Sequence, residues 1–244
     1  MGITLAAYSQ KTDLVLVNTV KPKMGQKMAF EAAYKKHVAA FHKGDEKIAV
    51  YEILSGTYAG YFHLVNNGRS YADYDKERAD AAAHSMDLDK TFYPLLEGTI
   101  NGNYRFVDSL SLRPDTTSVA FVVTVRHLKQ GIVLTDYYRE LSRGVIVDKM
   151  LKGPFWDNLS LSVFSLLWAG TDQVIVSIRN LKDGFKSLEQ GYYSMGPAGI
   201  GAFRDMYEKT YGYDAWDARV KILDNAIEKT EQYIMKTRKD LSSQ

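Results

Sequence analysis

The chain has five histidines and seventeen tyrosines, and these are the side chains with which it can do chemistry. With no cysteine anywhere, thiolate nucleophiles, disulfides and sulfur-ligated metals are excluded. His37 shares a face with Phe30, Ala33, Tyr34 and Phe41 at steps of three and four, so its imidazole sits among apolar neighbours and needs a hydrogen-bonding partner. It reads either as a ligand-orienting or proton-transfer group in a pocket between helix and sheet, or as a satisfied core histidine. His63 alternates with Phe62 and Leu64 and shares a strand face with Tyr61. Glu52 lies opposite Tyr51 and Ile53 on the preceding strand, where a carboxylate belongs at a rim or in a buried pair. With Asn18 on the first strand, the six residues Asn18, Tyr34, His37, Glu52, Tyr61 and His63 are expected to bound a ligand cavity in the first half, taking a small apolar or aromatic molecule. His37 and His42 are five positions apart, which on a continuous helix turns them about 140° from each other. No metal site is expected from that pair, and no cofactor is assigned.

The usual catalytic signatures are missing: no G-x-S-x-G elbow, P-loop, H-E-x-x-H or EF-hand loop occurs. Gly196-Pro197-Ala198-Gly199-Ile200-Gly201 lacks the lysine and the preceding strand of a phosphate loop, and reads as a plain loop. Tyr71, Tyr74, Tyr192, Tyr193, Tyr207, Tyr211 and Tyr213 fall in helical or connecting sequence, where their rings pack helices onto a sheet. Over 244 residues, 45% hydrophobic and 25% charged content with only 5 prolines describes a folded globular chain. Thirty-one basic against 29 acidic residues give a net charge of +2, which offers no basic surface for nucleic acid. No stretch is long and apolar enough for a membrane span. Gly2 to Gln10 has the pattern of the end of a signal peptide, with residues 1–12 as its remnant, and implies an extracytoplasmic, periplasmic or secreted, setting.

These candidate groups need elements to hold them. Leu14 to Val20 is a β-branched apolar run closed by Pro22, and Met24 to Lys43 carries the apolar stripe of a helix that stops at Gly44. Lys47 to Leu54 and Tyr58 to Val65 form a hairpin through Ser55-Gly56-Thr57. Ser70 to Leu96 reads as helix broken near Ser85, and Asn101 to Val107 as a closing strand. The same order returns after Arg113-Pro114-Asp115: strand at Val119 to Arg126, helix at Leu134 to Met150, a hairpin of Leu159 to Trp168 with Gln173 to Ile178 through Ala169-Gly170-Thr171, helical sequence at Asp183 to Gln190 and Ile200 to Glu228, and a strand at Glu231 to Arg238. Val17-Asn18-Thr19-Val20-Lys21 faces Val122-Val123-Thr124-Val125-Arg126, and Asn103-Tyr104-Arg105-Phe106-Val107 faces Gln232-Tyr233-Ile234-Met235-Lys236. The expectation is an α+β chain of two tandem ferredoxin-like βαββαβ units, 13–115 and 116–244, the second with a longer helical region.

In element order and in these paired segments the chain resembles the dimeric α/β-barrel superfamily in its fused form. The resemblance implies two antiparallel sheets packed as a barrel with helices outside, and it leaves a homo-oligomer open. Members of that superfamily include ligand-binding proteins, cofactor-free monooxygenases and haem-handling proteins, so fold does not select function. The leading expectation is an extracytoplasmic small-molecule-binding protein. A cofactor-free oxygenase or isomerase, and a haem-handling protein in which one histidine ligates iron, are the alternatives.

Overall fold

The first strand, β1 (Leu14–Pro22), ends where Pro22 removes a ladder donor, and α1 (Lys27–Phe41) follows after a turn at Gly25. β2 (Ala49–Ile53), β3 (Phe62–Arg69), α2 (Ala81–Asp87) and β4 (Leu96–Phe106) complete the first half. The second half runs β5 (Ala120–Leu128), α3 (Leu134–Met150), α4 (Pro154–Asp157), β6 (Leu161–Leu167), β7 (Gln173–Leu181), α5 (Lys186–Glu189), α6 (Gly196–Tyr211), α7 (Ala215–Ala226) and β8 (Ile227–Thr237). This computed structural model describes residues 13–113, 117–167, 173–189 and 195–243. The segment 1–12, the junction at Pro114 and Asp115, the connection Ala169 to Thr171, and Tyr192 and Tyr193 lie outside those residues.

All eight strands pair antiparallel in one closed barrel, in the order β1-β3-β2-β8-β5-β7-β6-β4. Each half contributes a four-strand stretch, β4-β1-β3-β2 and β8-β5-β7-β6, and the stretches join edge to edge. One seam runs through Tyr51↔Thr237 and Ile53↔Met235, the other through Asn103↔Leu167 and Phe106↔Phe164. The two sheets expected to face each other are thus continuous at both edges. Closure pairs the backbone groups that open edge strands would leave unmade.

Strand alternation then divides the core into layers. Inside the barrel Ile53, Phe121, Val123, Val174, Val176, Tyr233 and Met235 pack with Tyr51, Tyr58, Tyr61, Tyr104 and Phe164. Outside, Val20, Val50, Phe62 and Leu64 meet Phe30, Tyr34 and Val38 of α1. On the second half α3, α6 and α7 cover the barrel, with Tyr137 on the sheet and Phe203 and Tyr207 against Val145 and Val147.

Three local expectations need correction. The sequence 70–96 is not one broken helix: a 3-10 turn, α2, a π turn and another 3-10 turn precede β4, which starts at Leu96. The β2–β3 connection spans residues 54–61, because Gly56 and Gly60 take φ of 78° and 84° and turn the chain before Phe62. Gly196 to Gly201 is the first part of α6 rather than a loop. Pro197 sits in its first turn, where its fixed φ suits a helix and its missing N–H is not needed.

Under α3, the buried carboxyl group of Glu140 is paired with arginines, Arg143 Nη1 at 3.0 Å and Arg139 Nε at 3.2 Å from Oε1. The Tyr207 hydroxyl donates to its other oxygen. Gly144 leaves room for Arg219, since a Cβ there would lie 2.7 Å from its guanidinium, which stacks on Tyr207. Tyr34 differs: its hydroxyl is buried without a hydrogen-bond partner among the described residues. Tyr207→Phe is therefore expected to lower stability by roughly 1–3 kcal/mol, whereas Tyr34→Phe should leave it unchanged or raise it. Urea unfolding checks both, read as a shifted midpoint at constant slope.

Candidate functional site

The barrel interior is lined mainly by apolar and aromatic side chains, with a short polar strip among them. β1 and β3 place Thr19 beside His63, and the Thr19 hydroxyl lies 2.8 Å from His63 Nδ1. From β8, on the other side of β2, Tyr233 puts its hydroxyl 2.9 Å from His63 Nε2. Burial lowers His63 to a pKa of about 4 and raises Tyr233, so both are neutral near pH 7. A neutral imidazole donates through one nitrogen and accepts through the other. In either tautomer, one of the two hydroxyls keeps a proton that the imidazole does not take. Tyr51, Tyr58, Tyr61 and Tyr104 surround this strip with aromatic surface, and burial also raises Tyr51 and Tyr104. Lys21 stands over the Tyr61 ring at 5.6 Å.

A second polar cluster lies outside the barrel, where α1 ends. α1 stops at Phe41, and His42 takes φ −111°, ψ 78°, before Gly44 turns the chain with φ 58°. His42 thus swings back under the helix, and its Nε2 comes 3.1 Å from His37 Nε2. The expectation that these rings diverge is corrected here: the 100° step does not extend past the last helical residue. His84 of α2 brings a third Nε2 to 3.4 Å from that of His42. Asp87 Oδ2 accepts from His37 Nδ1 at 2.7 Å, and the Glu46 carbonyl accepts from His42 Nδ1 at 3.0 Å. Burial lowers all three histidines, His42 to about 4, while Asp87 acts in the opposite direction on His37.

The six residues expected around one cavity therefore divide among separate places. Tyr61 and His63 face the barrel interior together, as their alternation implies. Tyr34 and His37 lie on the other side of the sheet, on the buried face of α1. Asn18 pairs with Leu64 and is exposed. Glu52 is on the outer face, buried and held by Lys27, Lys236 and Arg238. Burial alone would raise its pKa, but hydrogen bonds from Lys27 and Lys236 bring it below the usual value. Glu52 is thus the buried pair rather than the rim residue.

Sequence reasoning missed Thr19, Tyr51, Tyr104 and Tyr233 around His63, and His84 and Asp87 beside His37. Thr19 and Tyr233 had a signal, since each sits in one of the paired segments that align the two halves. His84, directly after the short run Ala81 to Ala83, had none.

No protein-family model matches the sequence, and no curated protein matches it. Solved structures do match over more than nine-tenths of their length. An anthrone oxidase-like protein superposes with a TM-score of 0.55 at 12% identity, over 93% of this chain and 92% of that one. A protein provisionally assigned as a dyp-type peroxidase from Shewanella oneidensis gives 0.53 at 8%, over 96% and 95%. One provisionally assigned as a monooxygenase from Fusobacterium nucleatum gives 0.50 at 8%, over 92% and 91%. At these identities the likeness concerns architecture alone: the chain shares the α+β barrel fold of these proteins.

Proposed function

We propose that the protein binds a small, flat, mainly apolar molecule bearing one oxygen, with that oxygen directed at the Thr19–His63–Tyr233 strip. The observation that carries this reading is the surplus hydroxyl proton beside a buried neutral imidazole in an aromatic interior. Such a donor is satisfied by a carbonyl or phenolic oxygen and gives a bound molecule its orientation, while the tyrosine rings supply its apolar contact. The extracytoplasmic setting belongs to the same proposal and rests on the apolar Ile3 to Ala7 stretch. So does the descent of the halves 13–115 and 116–244 from tandem ferredoxin-like units, which the repeated strand order supports.

A second reading, a cofactor-free oxygenase or isomerase, uses the same imidazole. His63 is unprotonated near neutral pH and can take up a substrate proton by relay through the hydroxyl that donates to its bare nitrogen; the likeness to an anthrone oxidase-like protein supports this at the level of fold. Haem finds less support among the described residues. Both nitrogens of His63 are engaged, and His37 and His42 face each other too closely to admit a porphyrin plane.

Calorimetric titration with 1-naphthol and naphthalene tests the binding reading. The wild-type protein is expected to prefer the naphthol by about tenfold, the worth of one hydrogen bond, and His63→Phe or Tyr233→Phe should abolish the preference. Equal affinity for the two probes in all three proteins rejects it. Stability should follow His63 as well. An unfolded histidine takes its proton near pH 6.5, whereas folded His63 does so only near 4, so its contribution is complete above 6.5 and is lost as pH falls toward 4. His63→Gln should remove on the order of 3 kcal/mol of that loss, measured by urea unfolding at pH 7 and pH 4.

A further inference from the structure

The outer histidine cluster contains an unsatisfied arrangement of lone pairs. A carbonyl oxygen only accepts, so His42 carries its proton on Nδ1, toward Glu46. The Asp87 carboxylate likewise holds a proton on His37 Nδ1. In their neutral forms both rings then present bare Nε2 lone pairs, and these face each other at 3.1 Å. Two acceptors at that distance repel unless a positive centre lies between them. That centre is either a proton or a metal ion. A proton there makes a charged imidazolium in a buried place, next to the Arg78 guanidinium, which itself reaches Glu46, Asp80 and the Phe41 carbonyl.

We infer that His37, His42 and His84 bind one divalent first-row transition ion of the zinc class through their Nε2 atoms. The donor set is right for such an ion, because neutral imidazole suits zinc, nickel, cobalt and copper, and magnesium or calcium would demand oxygen ligands. The spacing is right as well. A tetrahedral ion with bonds of about 2.0–2.1 Å sets its nitrogens about 3.3 Å apart, against 3.1 Å and 3.4 Å for the two pairs that share His42. All three ligand atoms lie within 4.8 Å of one another, and a small turn of half-buried His84 closes the remaining pair. The partners behind the rings match what metal-bound histidines need: Asp87 and the Glu46 carbonyl each hold an Nδ1–H, fixing the tautomer and ring direction. Three protein nitrogens leave a fourth position for water or an exogenous ligand.

The site lies on the other side of the sheet from His63 and is independent of the binding proposed for the barrel interior. It ties α2 to the end of α1, so a bound ion also stabilises the folded chain by mass action. The test uses the full chain, stripped with a chelator and dialysed, then titrated with Co2+ and with Zn2+. The wild-type protein should take up one Co2+ per chain with the intense visible bands of a tetrahedral ion, lose them when Zn2+ displaces it, and melt at a higher temperature with Zn2+. His84→Ala, at the half-buried ligand, should weaken binding by at least about 100-fold, and Asp87→Asn by about 10–100-fold. His63→Ala should bind as the wild type does. His84→Ala and His63→Ala are read only after circular dichroism shows native helix content. Failure of folded wild-type protein to bind stoichiometric Co2+ or Zn2+, or binding undiminished in both His84→Ala and His42→Ala, overturns the inference. So does a nitrogen-15 spectrum of the chelator-treated and zinc-exposed protein that shows the same proton bridging His37 and His42.

Discussion

Closure of the barrel is the constraint on which the rest depends. Once β2 pairs with β8 and β4 with β6, every strand has a neighbour on both sides, and each of its residues faces either the enclosed interior or the helix layer. A polar side chain on the inner face has little water to turn to, so it must find its partner among the inward-facing side chains of nearby strands. His63 does this with Tyr233, contributed by a strand 170 positions away in sequence. The same closure makes Glu52 expensive on the outer face, and it is met by charges from α1 and from the end of β8.

The two histidine groups solve one problem differently. Burial disfavours the charged ring in both. His63 is satisfied by hydroxyls, which can donate or accept as the tautomer requires, so the site stays neutral without further help. His37 and His42 are fixed from behind by groups that only accept, and this removes the freedom of the tautomer. Hydroxyl partners make an adaptable hydrogen-bonding strip, whereas acceptor partners turn the rings into directed donors of lone pairs.

The architecture was legible because it depends on short-range pattern. Val15, Val17 and Thr19 alternate with Leu14, Leu16 and Asn18, and the order of elements repeats after Pro114, so strand and helix assignments follow from periods of two and 3.6. The sites were less legible because they depend on where elements stop and what they meet. His42 was placed by extending helix geometry one residue too far, although Gly44 had already marked the exit from α1. Glu52 and His63 are 11 positions apart in sequence and lie on neighbouring strands, yet the pleat sends one to the lysines outside and the other to the tyrosines inside. Alternation ordered the residues within each strand, but gave neither the register between the strands nor which face the helices would cover. Gly196 to Gly201 misled for another reason: glycine and proline punctuate loops, but proline in a first turn also begins a helix.

The sheet that separates the two sites also connects them. His63 points inward from β3, while its neighbour Phe62 points outward and packs on Phe30 with ring centroids 5.0 Å apart. Phe30 stacks on Tyr34 at 5.9 Å, and Tyr34 on His37 at 6.1 Å. Close-packed aromatic rings have few alternative arrangements, so a shift of β3 that moved His63 would press on α1 at the residues that position His37. Coupling of this kind requires two states of the packed layer that each site favours unequally. Rigid contact alone supplies the path and not the switch. The packing of β3 against α1 gives the aromatic layer a holding role: it keeps one imidazole aimed into the barrel and another aimed at its histidine partners.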